Sequence, residues 1–404
     1  MVANIGLRAD YYNPGGEWPT GDIYGDAAFG TGEQFENKFE TWEALGILAP
    51  VKTHLVVSPR LGVSFPVTER SKFYFNYGHF RSLAPWEEMY IVEQRPRVRL
   101  YTLGNPNLAP PRTISYETGV EYNLLNQFLL HVSGYYKDIT GQHGDVEYIS
   151  QSGTVEYDSW ENNEYEDVMG LEISVTKNFG KWVTGWINYD YRIQKSGLTG
   201  REEYYEDPSR QAVFGLYEGQ ERRPLPRPRL NANVTFHTPV NFGPRMGGIH
   251  PLGGWTASFL PTWIAGNYFT WNPLGELHLQ DNLQWPDYYV WDMKVSKNFQ
   301  ISTFGLEAYL NVSNLFNNKI ANFGRAFSSG SDEREYLASL KLPMYDSPEF
   351  DDLRTSSTEG YYSPGDDKPG DIRSDDKPYI NDPNEKLWLY DNRRDIWFGF
   401  VVRF

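Results

Sequence analysis

Residues 55–65 read LVVSPRLGVSF, and the side chains alternate in character along them. Leu55, Val57, Pro59, Leu61, Val63 and Phe65 fall on one face, and Val56, Ser58, Arg60, Gly62 and Ser64 on the other. A period of two is the signature of an extended strand. Here one face is apolar along its whole length while the other is small or polar, with an arginine at its middle. The strand therefore requires two different surroundings, one dry and one wet.

The pattern recurs. Phe73, Phe75 and Tyr77 oppose Tyr74, Asn76 and Gly78, and Leu171, Ile173 and Val175 oppose Glu172, Ser174 and Thr176. Leu230, Ala232, Val234 and Phe236 oppose Arg229, Asn231, Asn233 and Thr235. Phe304, Leu306, Ala308, Leu310 and Val312 oppose Gly305, Glu307, Tyr309, Asn311 and Ser313. Similar segments sit near 5–12, 113–122, 128–138, 182–193, 255–265, 288–299 and 395–404, twelve strands in all. Most are about ten residues long, the length a tilted strand needs to cross a bilayer.

Three features favour an antiparallel transmembrane β-barrel over a soluble sandwich. First, connections alternate in length: PVTERS, NLLNQ, GK and QIST are short, whereas those after the odd-numbered strands are long, the longest running from about 317 to 394. Short periplasmic turns and long external loops are an outer-membrane habit. The 238–254 connection, TPVNFGPRMGGIHPLGG, departs from this rule, being long where a short turn is expected. Second, Arg60, Glu117, Glu121, Glu172, Arg229, Asp292, Lys294 and Glu307 lie mid-strand on the polar face. A water-filled lumen accepts them, and a dry core does not. Third, aromatics gather at strand ends, as in Trp263/Tyr268/Phe269/Trp271 and Trp285/Tyr288/Tyr289/Trp291, where interfacial girdles would sit. A secreted β-sandwich, with its polar face in solvent, remains the alternative architecture.

Composition narrows the function. Aromatic residues make up 16% of the 404-residue chain, with 29 Tyr and 13 Trp, a bias towards strands and membrane interfaces. The net charge of −16 argues against nucleic acid as a partner, since that needs a basic face. Without cysteine there is no disulfide, thiolate metal site or thiol nucleophile. No apolar run is long enough for a membrane helix. The opening MVANIGLRADYYNP is already strand and lacks the layout of a signal peptide, so an upstream portion is expected.

On these strands the chain resembles the C-terminal barrel half of a TonB-dependent outer-membrane receptor. LVVSPRLGVSFPVTERSKFYFNYGHFRSLAPWEEMY is similar to that family's recurrent hairpin, and LGNPNLAPPRTISYETGVEY to its Gly-Asn-Pro loop and following strand. Gly104, Asn105, Pro106, Leu108, Pro110, Tyr116, Glu117 and Gly119 match, while Pro111 stands where the family usually has Glu. YYVWDMKVSKNF with FGLEAYLNVSNLFNN resembles the closing hairpin, and WFGFVVRF the last strand. The resemblance implies the second part of an approximately 22-stranded barrel. It implies ligand uptake driven by TonB through an N-terminal plug and TonB box that this sequence does not contain. It also implies outer-membrane lipid and lipopolysaccharide as surroundings.

Candidate sites follow from position. The 141–165 segment carries six acids, no Lys or Arg, and Tyr148, Tyr157, Trp160 and Tyr165. Carboxylates with aromatic faces suit sugars, peptides or cations. Trp86 and Tyr90 in 80–94, Tyr204 and Tyr205 in 201–210, and Trp271 with Trp285 are further ligand-contact candidates. Trp397, Phe398, Phe400, Val402 and Phe404 form the terminal strand, which the resemblance identifies as the signal read by the barrel assembly machinery. The seven histidines make no metal-ligand spacing, and no nucleophile or phosphate-loop motif appears, so no catalytic residue is assigned. His131 and Ser133 share a strand face and keep an outer-membrane enzyme as a second alternative. Asp351/Asp352, Asp366/Asp367 and Asp375/Asp376 offer the oxygen ligands calcium takes, but match no defined calcium loop, so no cofactor is assigned.

Overall fold

Alternating segments become strands because a period of two keeps each face uniform while the backbone pairs sideways. The computed structural model describes residues 1–30, 38–95, 99–214, 224–247, 249–270, 279–301, 304–318 and 393–403. Twelve strands form the backbone of its principal sheet: β1 (Val2–Tyr12), β2 (His54–Thr68), β3 (Ser71–Arg81), β4 (Arg112–Leu124), β5 (Phe128–Ile149), β6 (Glu156–Lys177), β7 (Val183–Leu198), β8 (Arg229–His237), β9 (Trp255–Ile264), β10 (Tyr288–Ile301), β11 (Phe304–Ser313) and β12 (Asp395–Arg403). They follow one another in sequence order across the sheet. Antiparallel registers join β1 to β2, β2 to β3, and each strand from β7 to β12 with the next. The number and order of strands are those expected. No described helix is long and apolar enough to cross a membrane.

Two strands are much longer than the pattern predicts. The sequence places 141–165 in an external loop, yet β5 and β6 each run 22 residues and meet across a six-residue connection, 150–155. At about 3.3 Å per residue this is roughly 70 Å, twice what a bilayer requires. The alternation continues there but is masked by acids: Val146 and Tyr148 on β5, and Val155 and Tyr157 beside or on β6, are buried.

The chain divides into two compact units, Met1–Glu121 with Val132–Leu171 and Arg192–Pro226, and Tyr122–His131 with Glu172–Tyr191 and Arg227–Phe404. In the first, Ile5, Leu7, Leu55 and Val57 leave the apolar face of β1 and β2 exposed. Tyr77, Tyr116 and Tyr136 line up across β3, β4 and β5, with ring centroids 5.2 and 6.3 Å apart. On the opposite face, the Tyr74 hydroxyl donates to Glu117 at 2.7 Å and Lys72 pairs with Glu121 at 2.8 Å. A side chain at Gly119 would meet the Tyr74 ring at 2.6–2.7 Å, so the Tyr-Glu-x-Gly spacing lets that phenol lie across the strand to its carboxylate.

The second unit repeats this logic. Val312, Leu310, Ala308 and Leu306 of β11 face Ile396, Phe398, Phe400 and Val402 of β12 on the apolar side. Arg403 reaches Glu307 at 2.9 Å on the polar side. Phe398 and Phe400 are strongly exposed, as are Trp397 and Val402, whereas Phe404 lies outside the described residues.

Neighbouring residues on β8 provide a test of the two faces. Val234→Arg, on the apolar side, is expected to cost about 2–4 kcal/mol in a bilayer, and Asn233→Arg, on the polar side, far less. Heat-modifiable migration and urea titration in detergent-free vesicles would measure the difference.

Candidate functional site

In the first unit, the protruding parts of β5 and β6 nucleate a lobe. A free strand edge invites non-native pairing, and here both edges are covered. Glu203–Tyr205 pairs in parallel with Glu147–Ile149 of β5. Arg99–Leu103 joins β6 in parallel at Asp158 and is itself paired with Val92–Arg95. The connection between β1 and β2 supplies two helices, α1 (Asp26–Phe29) and α2 (Lys38–Leu45), which pack on this sheet. Trp18, Phe29, Trp42, Leu100, Val146 and Tyr157 belong to the resulting core. Trp42 is fully enclosed and its indole donates to the Ala28 carbonyl at 3.0 Å.

The Gly-Asn-Pro loop is the junction of the lobe. Trp18 donates its indole N–H to the Gly104 carbonyl at 2.9 Å. A Cβ at Gly104 would lie 2.5 Å from the Met89 backbone, so only glycine permits this approach. Asn105 takes the Glu88 carbonyl with its backbone N–H and the Trp160 carbonyl with its side chain, at 2.7 and 2.9 Å. Leu108 is buried with Ala84 and with Met89 of α3 (Trp86–Tyr90).

Tyrosines and carboxylates meet inside the lobe. The Tyr148 hydroxyl donates to Glu161 at 2.5 Å, and Tyr204 reaches the other Glu161 oxygen at 3.3 Å. Tyr148 and Tyr204 stack at 5.3 Å, and Tyr24 meets Tyr148 edge-on at 6.3 Å. Burial, then the Glu161 hydrogen bond, pushes the Tyr148 phenol well up; burial does the same for Tyr157, Tyr204 and Tyr24. All four therefore act as neutral donors and apolar faces. Tyr205 donates to Glu203 at 2.6 Å, which pushes its phenol up to about 12, and Arg210 lies 4.9 Å over its ring.

The candidates thus separate by exposure. Tyr148 and Tyr157 are core residues, and their rings hold the lobe rather than face outward. Trp285 is buried edge-on against Phe269 in the second unit. Trp160 packs on the small Met89 cluster, and Tyr165 lies against Gly197. Trp86, 70% exposed, stacks on Tyr90 at 5.6 Å, and Tyr90 is anchored to the Pro14 carbonyl at 2.7 Å. Trp271 and the paired aspartates at 351–376 lie outside the described residues. Sequence reasoning missed Tyr24, Glu161, Trp18 and Trp42. Two tryptophans within one presumed loop are the signal that it holds a core.

Each unit also has a polar concavity between neighbouring strands. One of about 300 Å³ is lined by Asn4, Ser64, Lys72, Tyr74 and Glu117. The other, about 270 Å³, is lined by His131, Glu172, Ser174, Asn188, Asp190 and Arg229. The charges compensate locally: Arg229 pairs with Asp190 at 3.2 Å. Ser133, noted with His131 in the sequence, is closed off from solvent. Among the described residues no group of carboxylates and histidines is arranged to hold a metal.

Two measurements test the lobe. Trp42→Ala is expected to cost about 3–5 kcal/mol locally, opening the 13–53 segment to protease while the sheet stays resistant. Glu147 is raised above its ordinary value of 4.5 by burial and then by Glu156, Asp158 and Glu203. A raised carboxylate contributes stability below its unfolded value and loses it as pH rises through the folded one. Glu147→Gln should therefore make the lobe more protease-resistant at neutral pH and flatten its pH dependence just above 4.5.

The profile of the family described as TonB dependent receptor-like, beta-barrel, matches residues 2–315. No curated protein matches the sequence. Among solved structures, the outer membrane transporter YddB from Escherichia coli aligns with a TM-score of 0.45 at 10% identity, covering 67% of this chain and 38% of that one. The closed form of the ferric-catecholate import receptor Fiu from E. coli K12 gives 0.42 at 17%, covering 79% and 38%. A double mutant of the Serratia marcescens hemophore receptor HasR, in complex with its hemophore HasA and heme, gives 0.43 at 13%, covering 78% and 44%. The chain spans less than half the length of each of these structures. With the family profile extending from β1 through β11, the chain belongs to the TonB-dependent receptor-like β-barrel family.

Proposed function

We propose that the chain is the barrel portion of a Gram-negative outer-membrane receptor that imports a scarce nutrient by TonB-coupled transport. The observation that carries this reading is the alternation of apolar and polar faces through twelve successive strands, eleven of them within the family match. TonB would act through an N-terminal plug encoded outside this sequence. The barrel assembly machinery would read β12, and lipopolysaccharide would surround the external rim. Siderophore, cobalamin, glycan and peptide are all cargoes such a barrel can take, since fold does not fix ligand.

Ligand capture is assigned to the accessible aromatic surface of the lobe, foremost Trp86 on its Tyr90 base, with Trp160, Tyr165, Tyr204 and Tyr205 as further contacts. A stacked, anchored ring loses little freedom on binding, which favours it over a mobile side chain.

The test uses the complete reading frame expressed in a Gram-negative host. Growth on, or accumulation of, its nutrient should vanish in cells lacking TonB, and Trp86→Ala should weaken capture by roughly 1 kcal/mol, about fivefold. A protein that stays soluble without detergent and shows no heat-modifiable migration would restore the β-sandwich alternative. Hydrolytic activity lost on His131→Ala would restore the enzyme.

A further inference from the structure

The 238–254 connection, long where a short turn was expected, is a built structure in the second unit. Lys297 of β10, almost fully buried, donates its ammonium to the carbonyls of His250 and Pro251, each at 3.0 Å, and to that of Gly253. The same ammonium lies 5.3 Å from the Trp255 ring. Thr238 bonds back to Trp255, and His250 donates to the Gly243 carbonyl at 3.0 Å. The loop is thus tied down from inside, yet its outer side is apolar: Val240, Phe242, Met246, Ile249 and Leu252 are all exposed.

It is also joined sideways to the two preceding turns of the same unit. Phe242 meets Trp182 edge-on at 4.9 Å, and the His237 N–H bonds to the Trp182 carbonyl at 2.7 Å. Lys177 donates to Gln127 at 2.9 Å and lies over Phe128. Phe179, Trp182 and Leu125 are exposed here too. In a chain of net charge −16, residues 122–131, 177–183 and 237–255 contain no Asp or Glu and carry Lys177, Lys181 and Arg245.

We propose that these joined turns form a membrane-interface foot that docks on the inner leaflet of the outer membrane. The apolar side chains enter the headgroup–acyl boundary, and Lys181 and Arg245 meet phospholipid phosphates. Two observations select this occupant. The patch continues the lipid-facing side of the strands that lead into it, through Phe236 of β8 and Phe259 of β9, whose rings meet at 6.1 Å. Its cations, with no acid among them, complement an anionic surface, and aromatic rings with basic residues are the composition that such a boundary favours. The inference rests on the outer-membrane reading above.

These 404 residues contain no cysteine, so a single reporter follows once any cysteine elsewhere in the full-length receptor is replaced by serine. Met246→Cys and, separately, Ile187→Cys on the lipid-facing side of β7 are labelled with an environment-sensitive dye. The full-length receptor is then reconstituted in phosphatidylethanolamine–phosphatidylglycerol vesicles. The Met246 probe should shift to the blue, resist aqueous iodide and be quenched more by headgroup-level than by chain-end spin labels. Lys181→Glu with Arg245→Glu should reverse that protection while leaving the Ile187 probe unchanged. A Met246 probe freely quenched by iodide beside a lipid-protected Ile187 probe overturns the foot alone. Protection that appears only when periplasmic extract is added overturns it in favour of a protein partner. An Ile187 probe in water overturns the membrane reading itself.

Discussion

Everything in this chain depends on one constraint: a strand in hydrocarbon must hand every N–H and C=O to a neighbour while showing lipid an apolar side. Sideways pairing satisfies the first requirement and a period of two satisfies the second. The polar side is then free to hold charge, provided water or a partner is at hand. Lys72 with Glu121, Arg229 with Asp190 and Arg403 with Glu307 are such partnerships. Being hydrated, each contributes little to stability by itself. Their place on the polar face still fixes register, because a one-residue slip would turn arginine and glutamate towards lipid.

Beyond the length a bilayer needs, the rule changes without the strands ending. β5 and β6 continue as a regular hairpin, and their formerly lipid-facing or lumen-facing positions must find protein partners instead. They find them in α1, α2 and the short strands at 99–103 and 203–205, which close the exposed edges. The lobe is therefore a small soluble fold grown on a membrane sheet. Trp42 and Phe29 do for it what lipid does for Leu55 and Phe236.

This division explains what the sequence made legible. Twelve strands, their order and their faces could be read because lipid imposes a rule that each strand obeys independently. The lobe obeys no such local rule. Val146 and Tyr148 alternate with acids that resemble loop composition, and their burial depends on α1 and α2, more than a hundred residues earlier. The Gly-Asn-Pro motif was visible as a resemblance, but its role as the point where Trp18, Met89 and Trp160 converge is a long-range fact. Likewise the 238–254 connection stood out as an exception to the length rule, while the Lys297 tether that shapes it lies some fifty residues on.

Aromatic abundance by itself consequently says little about ligand contact here. Tyr116 and Tyr136 stand on the lipid side, Tyr74 crosses Gly119 to reach a carboxylate, and Trp42 fills a core; each uses an aromatic ring for a different physical end. Tyr148 and Tyr157 sit in the same acidic stretch as Trp160 and Tyr165, and composition cannot separate them. Accessibility and anchoring can. A phenol already donating to Glu161, with Tyr204 stacked on its ring and Tyr157 tilted against it, has no face to offer, whereas Trp86 stacks on Tyr90 and is otherwise largely exposed. The ligand contact proposed at Trp86 rests on a ring held from behind and open in front, which its stacking on the anchored Tyr90 supplies.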